Sequence, residues 1–88
     1  MLVLRRRRND RIVIDNRLTI MVKKVRRGVV RLLITPPGGE PVALKINQRI
    51  AIDEGRIVIT IVRFVGGSVE IGVEAPGMKI RRGELERH

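Results

Sequence analysis

A chain of 88 residues has room for one small domain, or for two half-sized units that share a core, which excludes most enzymes. Nineteen Lys and Arg residues against nine Asp and Glu residues give a formal charge of +10, and this charge favours a polyanionic partner. With no Cys and a single His at position 88, the sequence predicts neither a metal nor a cofactor.

The positive charge is concentrated at the start of the chain. Residues 1–32 carry a net charge of +9, whereas the other 56 residues carry +1. The apolar segment Met1–Leu4 precedes Arg5–Arg8, which is the reverse of the charge order of a signal peptide. We therefore expect a cytoplasmic protein that makes no membrane contact and binds its polyanion mainly through the first part of the chain.

Alternating apolar residues rich in Val and Ile predict β-strands throughout. After the apolar start of the chain, the predicted strands are Arg11–Asp15, Leu18–Val22, Val29–Ile34, Arg49–Asp53, Arg56–Phe64 and Ser68–Glu74. Asp53–Gly55 and Gly66–Gly67 have turn composition, while Pro36–Gly39 and Ala75–Gly77 are predicted loops. Only Gly83–His88 could form a helical turn, so the predicted fold class is all-β.

The second half of the chain repeats the first. Arg11–Asp15 aligns with Arg49–Asp53 at an offset of 38, and beyond one inserted turn residue the offset is 39, which pairs Gly28 with Gly67. The pattern predicts one compact domain of two copies, residues 1–40 and 49–88, joined by a shared strand or linker at residues 41–48. Two such copies are expected to interlock as an internal pseudo-dimer.

Several segments follow one another in a recognisable order: Met1–Arg6, Asp10 and the strand Ile12–Ile14, and later Val65–Pro76 followed by Met78–Leu85. In this order they resemble the carbon storage regulators, the CsrA and RsmA proteins, and the second group is the closer match. The resemblance implies two interlocked five-stranded units, in which the first and fifth strands of each unit pair with the other unit. It also implies binding of GGA-containing loops in messenger leaders and control of translation or message stability, with a regulatory small RNA or a protein antagonist as further partners.

Each site of the family joins the first strand of one unit to the fifth strand of the other. By position, Leu4, Arg6 and Arg7 would form the first-strand half, and Arg82 with Arg81 the fifth-strand half. The complete set of candidate RNA-binding residues is Leu4, Arg5, Arg6, Arg7, Arg8, Ile80, Arg81 and Arg82.

The middle segment Pro41–Gln48 departs from the family pattern. It is the only segment available both as the fifth strand of the first copy and as the first strand of the second copy, and in either alignment the family arginine position falls on Leu44. We therefore expect one RNA site per chain and a monomer, with a homodimer of whole chains as the alternative.

Arginine suits this function because its planar donors fit phosphate or the O6 and N7 edge of guanine. The only aromatic residue, Phe64, is predicted to lie in the core, so base stacking is not expected to drive binding. Lys23, Lys24, Arg26 and Arg27 could equally steer RNA or protect an edge strand from aggregation. Two other functions remain open: a basic β-barrel that binds ribosomal RNA or DNA through backbone charge, and a protein-interaction module.

Overall fold

The computed structural model describes residues 1–82, which form nine β-strands and no helix. The strands are β1 Leu2–Arg6, β2 Arg11–Ile14, β3 Leu18–Arg26, β4 Val29–Thr35, β5 Val42–Lys45, β6 Arg49–Ile52, β7 Ile57–Val65, β8 Ser68–Glu74 and β9 Ile80–Arg81. The all-β prediction is confirmed. The predicted helical turn at residues 83–88 lies outside the described residues.

The strands form two antiparallel sheets, and each sheet contains strands from both copies. The order is β1-β8-β7-β6 in the first sheet and β5-β4-β3-β2-β9 in the second. The first strand of copy one thus pairs with copy two, and the last strand of copy two pairs with copy one. This exchange lies within a single chain.

Period-two alternation places one face of each strand in a common core. β3 and β7 begin with the same burial pattern, because Leu18, Ile20 and Val22 are buried like Ile57, Ile59 and Ile61. The buried side chains of both sheets belong to one hydrophobic cluster, against which Phe64 packs half-buried. Phe64 therefore has the core position that the sequence predicts.

The two copies share their irregular features as well as their strands. The register between β3 and β4 shifts between Val22 and Lys24, and the register between β7 and β8 shifts between Ile61 and Arg63. Both shifts occur at the same repeat position. In the turns before β2 and β6, Asn9 and Asn47 adopt positive φ angles, which asparagine tolerates better than most residues.

The middle segment occupies only one of the two positions that the sequence offers it. β5 pairs with β4 as the first strand of copy two, and Leu44 lies opposite Val30 just as Arg6 lies opposite Val69. Among residues 1–82, no strand takes the fifth-strand position of copy one beside β6. The segment is therefore not shared between two strand pairings. Residues 36–41 connect β4 to β5, and β5 then pairs with β4.

Within residues 1–82 the structure contains no helix of the length and apolar character that a membrane span requires.

Candidate nucleic-acid interface

β1 supplies the first group of candidate residues, and its alternation divides them between the surface and the core. Arg5 is exposed and donates to Glu70 on β8, with 3.0 Å between Nη2 and Oε2. Arg6 is only 5% exposed, and its Nη1 donates to the Arg5 carbonyl at 2.8 Å. Leu4 is half-buried against the core. Arg5 therefore presents its guanidinium at the surface, whereas Arg6 is held inside the fold.

The turn after β1 presents the next two arginines. The Arg7 N–H donates to the Asp10 carboxylate at 2.9 Å, and the Asp10 N–H donates back to the Arg7 carbonyl at 2.9 Å. These two bonds fix the backbone while the side chains of Arg7 and Arg8 stay exposed. Arg7 and Arg8 line a shallow cleft of about 550 Å³ together with Asn9, Asp10 and Gly67.

β9 supplies the other half of the candidate site. Ile80 lies opposite Ile14 and packs half-buried against the core, while Arg81 lies opposite Val13 and is exposed. The Asp15 N–H donates to the Lys79 carbonyl at 2.6 Å and extends this short ladder. The exposed Arg82 follows at the level of Ile12.

The topology brings the two halves to the same strand. β9 runs antiparallel to β2, so Arg81 and the following Arg82 advance toward the Arg7–Asp10 turn that precedes β2. With strands about 4.8 Å apart and a rise of about 3.3 Å per residue, the Cα of Arg82 lies within about 10 Å of that of Asp10. The exposed members Arg7, Arg8, Arg81 and Arg82 thus border one end of β2, whereas Arg6 and the two apolar members support the strands from inside.

Two carboxylates balance part of the positive charge near the strands. Glu70 accepts from Arg63 at 2.7 Å as well as from Arg5, and these hydrogen bonds lower the pKa of Glu70, the bond from Arg63 most strongly. Asp53 accepts from Arg17 and Arg56, and the hydrogen bond from Arg17 is the main cause of the lowered pKa of Asp53. Both carboxylates are therefore ionised at neutral pH.

The corresponding position on the other copy lacks most of this chemistry. Ala43 and Leu44 stand at the register positions of Arg5 and Arg6, and Lys45 follows at the position of Arg7. The Lys45 N–H donates to the Gln48 side chain at 2.8 Å, which repeats the Arg7 and Asp10 turn without its carboxylate. The turn is retained, but the arginines are not.

Sequence reasoning missed Glu70 and its two ion pairs. Glu70 lies 65 residues from Arg5, and only the pairing of β1 with β8 brings them opposite each other. No local spacing signals such a contact. Arg11, half-buried at the start of β2 between the two halves of the site, was also not among the candidates.

The described residues contain no cluster of three or more His, Cys, Asp or Glu side chains able to hold a metal ion.

The fold and the site together define a small, duplicated all-β protein that exchanges strands between its copies and gathers arginines at the end of one strand. A family model described as the Global regulator protein family, CsrA, matches residues 1–43 and again residues 42–88, and the chain therefore belongs to the CsrA family. The second match begins at Val42, the first residue of β5. No curated protein and no solved structure matches the chain. Membership in this non-enzymatic family indicates an RNA-binding regulator.

Proposed function

We propose that this protein is a post-transcriptional regulator that binds GGA-containing loops in messenger leaders and changes translation or message stability. The observation that carries the proposal is the pairing of β9 with β2. β2 begins directly after the turn that follows β1, so the pairing brings β9 close to that turn. This pairing supports a single site built from Arg7 and Arg8 on one side and from Arg81 and Arg82 on the other.

Arginine is the recognition element in this proposal. Its guanidinium can donate two parallel hydrogen bonds to O6 and N7 of an unpaired guanine, and the same group can contact phosphate. Phe64 is half-buried in the core, so the described residues offer no aromatic platform on which a base could stack. Discrimination therefore depends on hydrogen bonds from arginines and from backbone groups at strand edges.

We further propose one complete site per chain and a protein that acts as a monomeric pseudo-dimer. Support comes from Lys45 and Ile46, which stand in the register where the other copy has Arg7 and Arg8, and from β6, which has no fifth-strand partner among residues 1–82. The second site would lack both the arginines of its first strand and the whole of its fifth strand.

The test compares binding of one RNA hairpin carrying GGA in its loop with the same hairpin carrying CCA. The wild-type protein should prefer the GGA hairpin. Arg7→Ala should weaken GGA binding. Arg49→Ala, which removes an exposed arginine on β6, should leave it unchanged. Equal affinity for the two loops with a steep loss of affinity at higher salt would instead identify a binder of RNA or DNA backbone charge. Absence of RNA binding by the folded protein would favour a protein-interaction module.

A further inference from the structure

The hairpins of the two copies differ sharply in charge although they align residue by residue. The first hairpin, residues 18–35, contains five bases and no acid, whereas the second hairpin, residues 57–74, contains one base and two acids. The five bases are Lys23, Lys24, Arg26, Arg27 and Arg31, and all of them are exposed. The excess charge is therefore a property of one copy and not of the shared fold.

In the second hairpin, a carboxylate separates two cations on the exposed face. Glu70 on β8 stands between Arg63 on β7 and Arg5 on β1, directly opposite both in the strand register. It accepts from Arg63 Nε at 2.7 Å and from Arg5 Nη2 at 3.0 Å. Three side chains in a row across three strands thus alternate in sign, which is the favourable arrangement for cross-strand neighbours.

In the first hairpin, an arginine takes the place of that carboxylate. Arg31 on β4 stands between Lys24 on β3 and Ala43 on β5 in the same register row. Two positive side chains therefore lie directly opposite each other, which destabilises a sheet unless an anion lies between them. Protection of an exposed edge does not explain Arg31, because β4 is paired on both sides.

A groove follows this row of like charges. It has a volume of about 330 Å³ and is lined by Lys24, Arg26, Arg27, Val29 and Arg31. Lys45 on β5 lies opposite Val29 and extends the positive surface by one strand. Within the described part of the chain, none of these cations forms an ion pair with a carboxylate.

We propose that this surface, the first-hairpin face formed by Lys24, Arg26, Arg27, Arg31 and Lys45, binds the phosphate backbone of RNA. The proposal rests on RNA being the partner of the chain, and it adds a contact that does not depend on base sequence. The face spans β3, β4 and β5, whereas β9 with Arg81 lies at the opposite edge of the same sheet. RNA flanking a loop bound near β9 would meet the first-hairpin face through charge alone.

The test uses single-stranded oligo-uridine, which contains no GGA, together with the variant Arg31→Glu. Opposite Lys24, this substitution recreates the pairing of opposite charges that Arg63 and Glu70 make in the second hairpin, so the fold should be retained. Each phosphate contact with a single strand contributes a slope of about −0.7 in log affinity against log salt. Loss of one contact at 0.1 M salt therefore corresponds to a loss of roughly fivefold in affinity, accompanied by a shallower slope.

The matched control is Arg49→Glu, which makes the same change in net charge on β6 in the other sheet. The proposal expects at least a roughly fivefold loss for Arg31→Glu and a clearly smaller loss for Arg49→Glu. Equal losses for both variants would overturn it, because they would show that only net charge matters. Lys24→Ala removes the cation opposite Arg31 and provides a second variant. It should also weaken oligo-uridine binding, and it does so without introducing a carboxylate.

The GGA-to-CCA affinity ratio separates this proposal from the proposed function. The account expects Arg31→Glu to weaken oligo-uridine binding and to leave that ratio unchanged. A changed ratio would place Arg31 in loop recognition and overturn the assignment to backbone. If the wild-type protein shows no preference for GGA but Arg31→Glu still weakens oligo-uridine binding, the proposed function alone is refuted. Binding of an acidic polypeptide at the face, with no oligo-uridine binding, would replace RNA by a protein partner.

Discussion

β2 and β6 have nearly the same sequence, Arg-Ile-Val-Ile and Arg-Ile-Ala-Ile, but they differ in burial. Ile12 and Ile14 on β2 are completely buried, while Ile50 and Ile52 on β6 are only half-buried. β2 is covered by β3 and β9, whereas β6 pairs with β7 alone among the described residues. Because the two strand sequences are nearly the same, the difference in burial follows from the neighbouring strands that residues 1–82 provide, and not from the strand sequence itself.

The same asymmetry governs the proposed RNA site. β9 pairs with the edge of β2 and places Arg81, with Arg82 directly after it, beside that strand. Among residues 1–82, no strand brings such arginines to the open edge of β6. At Ile52, the last residue of β6, a cleft of about 560 Å³ is lined by residues that include Leu18 and Ile34.

The largest expected effect compares Ile12→Ala with Ile50→Ala. Because Ile12 is completely buried, its truncation should lower the free energy of unfolding by about 2 to 5 kcal/mol. Ile50 already contacts solvent, so the aligned substitution should cost about 1 to 2 kcal/mol. Urea unfolding of both variants measures the difference. Equal costs would show that the edge of β6 is covered in solution.

Leu44→Ala addresses the position at which copy two departs from copy one. Leu44 is 5% exposed and belongs to the hydrophobic core, so its truncation should cost about 2 to 4 kcal/mol of folding stability. The folded fraction should bind a GGA hairpin as tightly as the wild-type protein. A loss of RNA affinity beyond the loss of folded protein would place Leu44 in a second working site.

Arg82→Ala tests the half of the site that β9 supplies. If Arg82 reads guanine with two hydrogen bonds, the substitution should cost about 1 to 3 kcal/mol of discrimination at one base. The measurement is the affinity for hairpins that differ at single loop positions, with Arg49→Ala as the control. Uniform weakening on every sequence would instead assign Arg82 to a phosphate contact.

The smallest expected effect concerns the pH dependence of the second hairpin. The hydrogen bonds from Arg63 and Arg5 lower the pKa of Glu70 in the folded protein, so its ion pairs stabilise the fold at neutral pH. This contribution should be lost as the pH falls through the lowered pKa. Glu70→Gln should reduce stability at neutral pH and flatten the acid limb of the stability curve.

Glu74→Gln is the matched control for that measurement, since Glu74 is exposed on the same strand and forms no ion pair among the described residues. It should leave the acid limb of the curve unchanged. An unchanged limb in Glu70→Gln as well would show that the two ion pairs do not persist in solution.

The strands and the duplication could be predicted from the sequence because both depend on local patterns of residues. The alternation in Arg11–Ile14 and its repeat at Arg49–Ile52 are visible without any long-range information. The sequence did not show whether β5 would pair with β4 or lie beside β6. That outcome depends on the length of the connection formed by residues 36–41 and on competition between the two possible strand pairings. The local pattern fits both.

The same limit applies to the candidate site. Alternation along β1 buries Arg6 and exposes Arg5, but the run Arg5–Arg8 gives no sign of which residue faces the core until the pairing with β8 sets the register. Glu70 was missed for the same reason. The positive charge of the first hairpin was visible in the sequence. Its contrast with the second hairpin became clear only from the strand register, in which Arg31 takes the position that Glu70 has in the other copy.

The most direct test of a single RNA site per chain is the mass of the protein in solution, measured with and without a short GGA hairpin at moderate salt. The account predicts one chain of 88 residues when free, and one chain with one hairpin at saturation. A complex of one chain with two equivalently bound hairpins, or a free protein that forms a dimer with two sites, would contradict it.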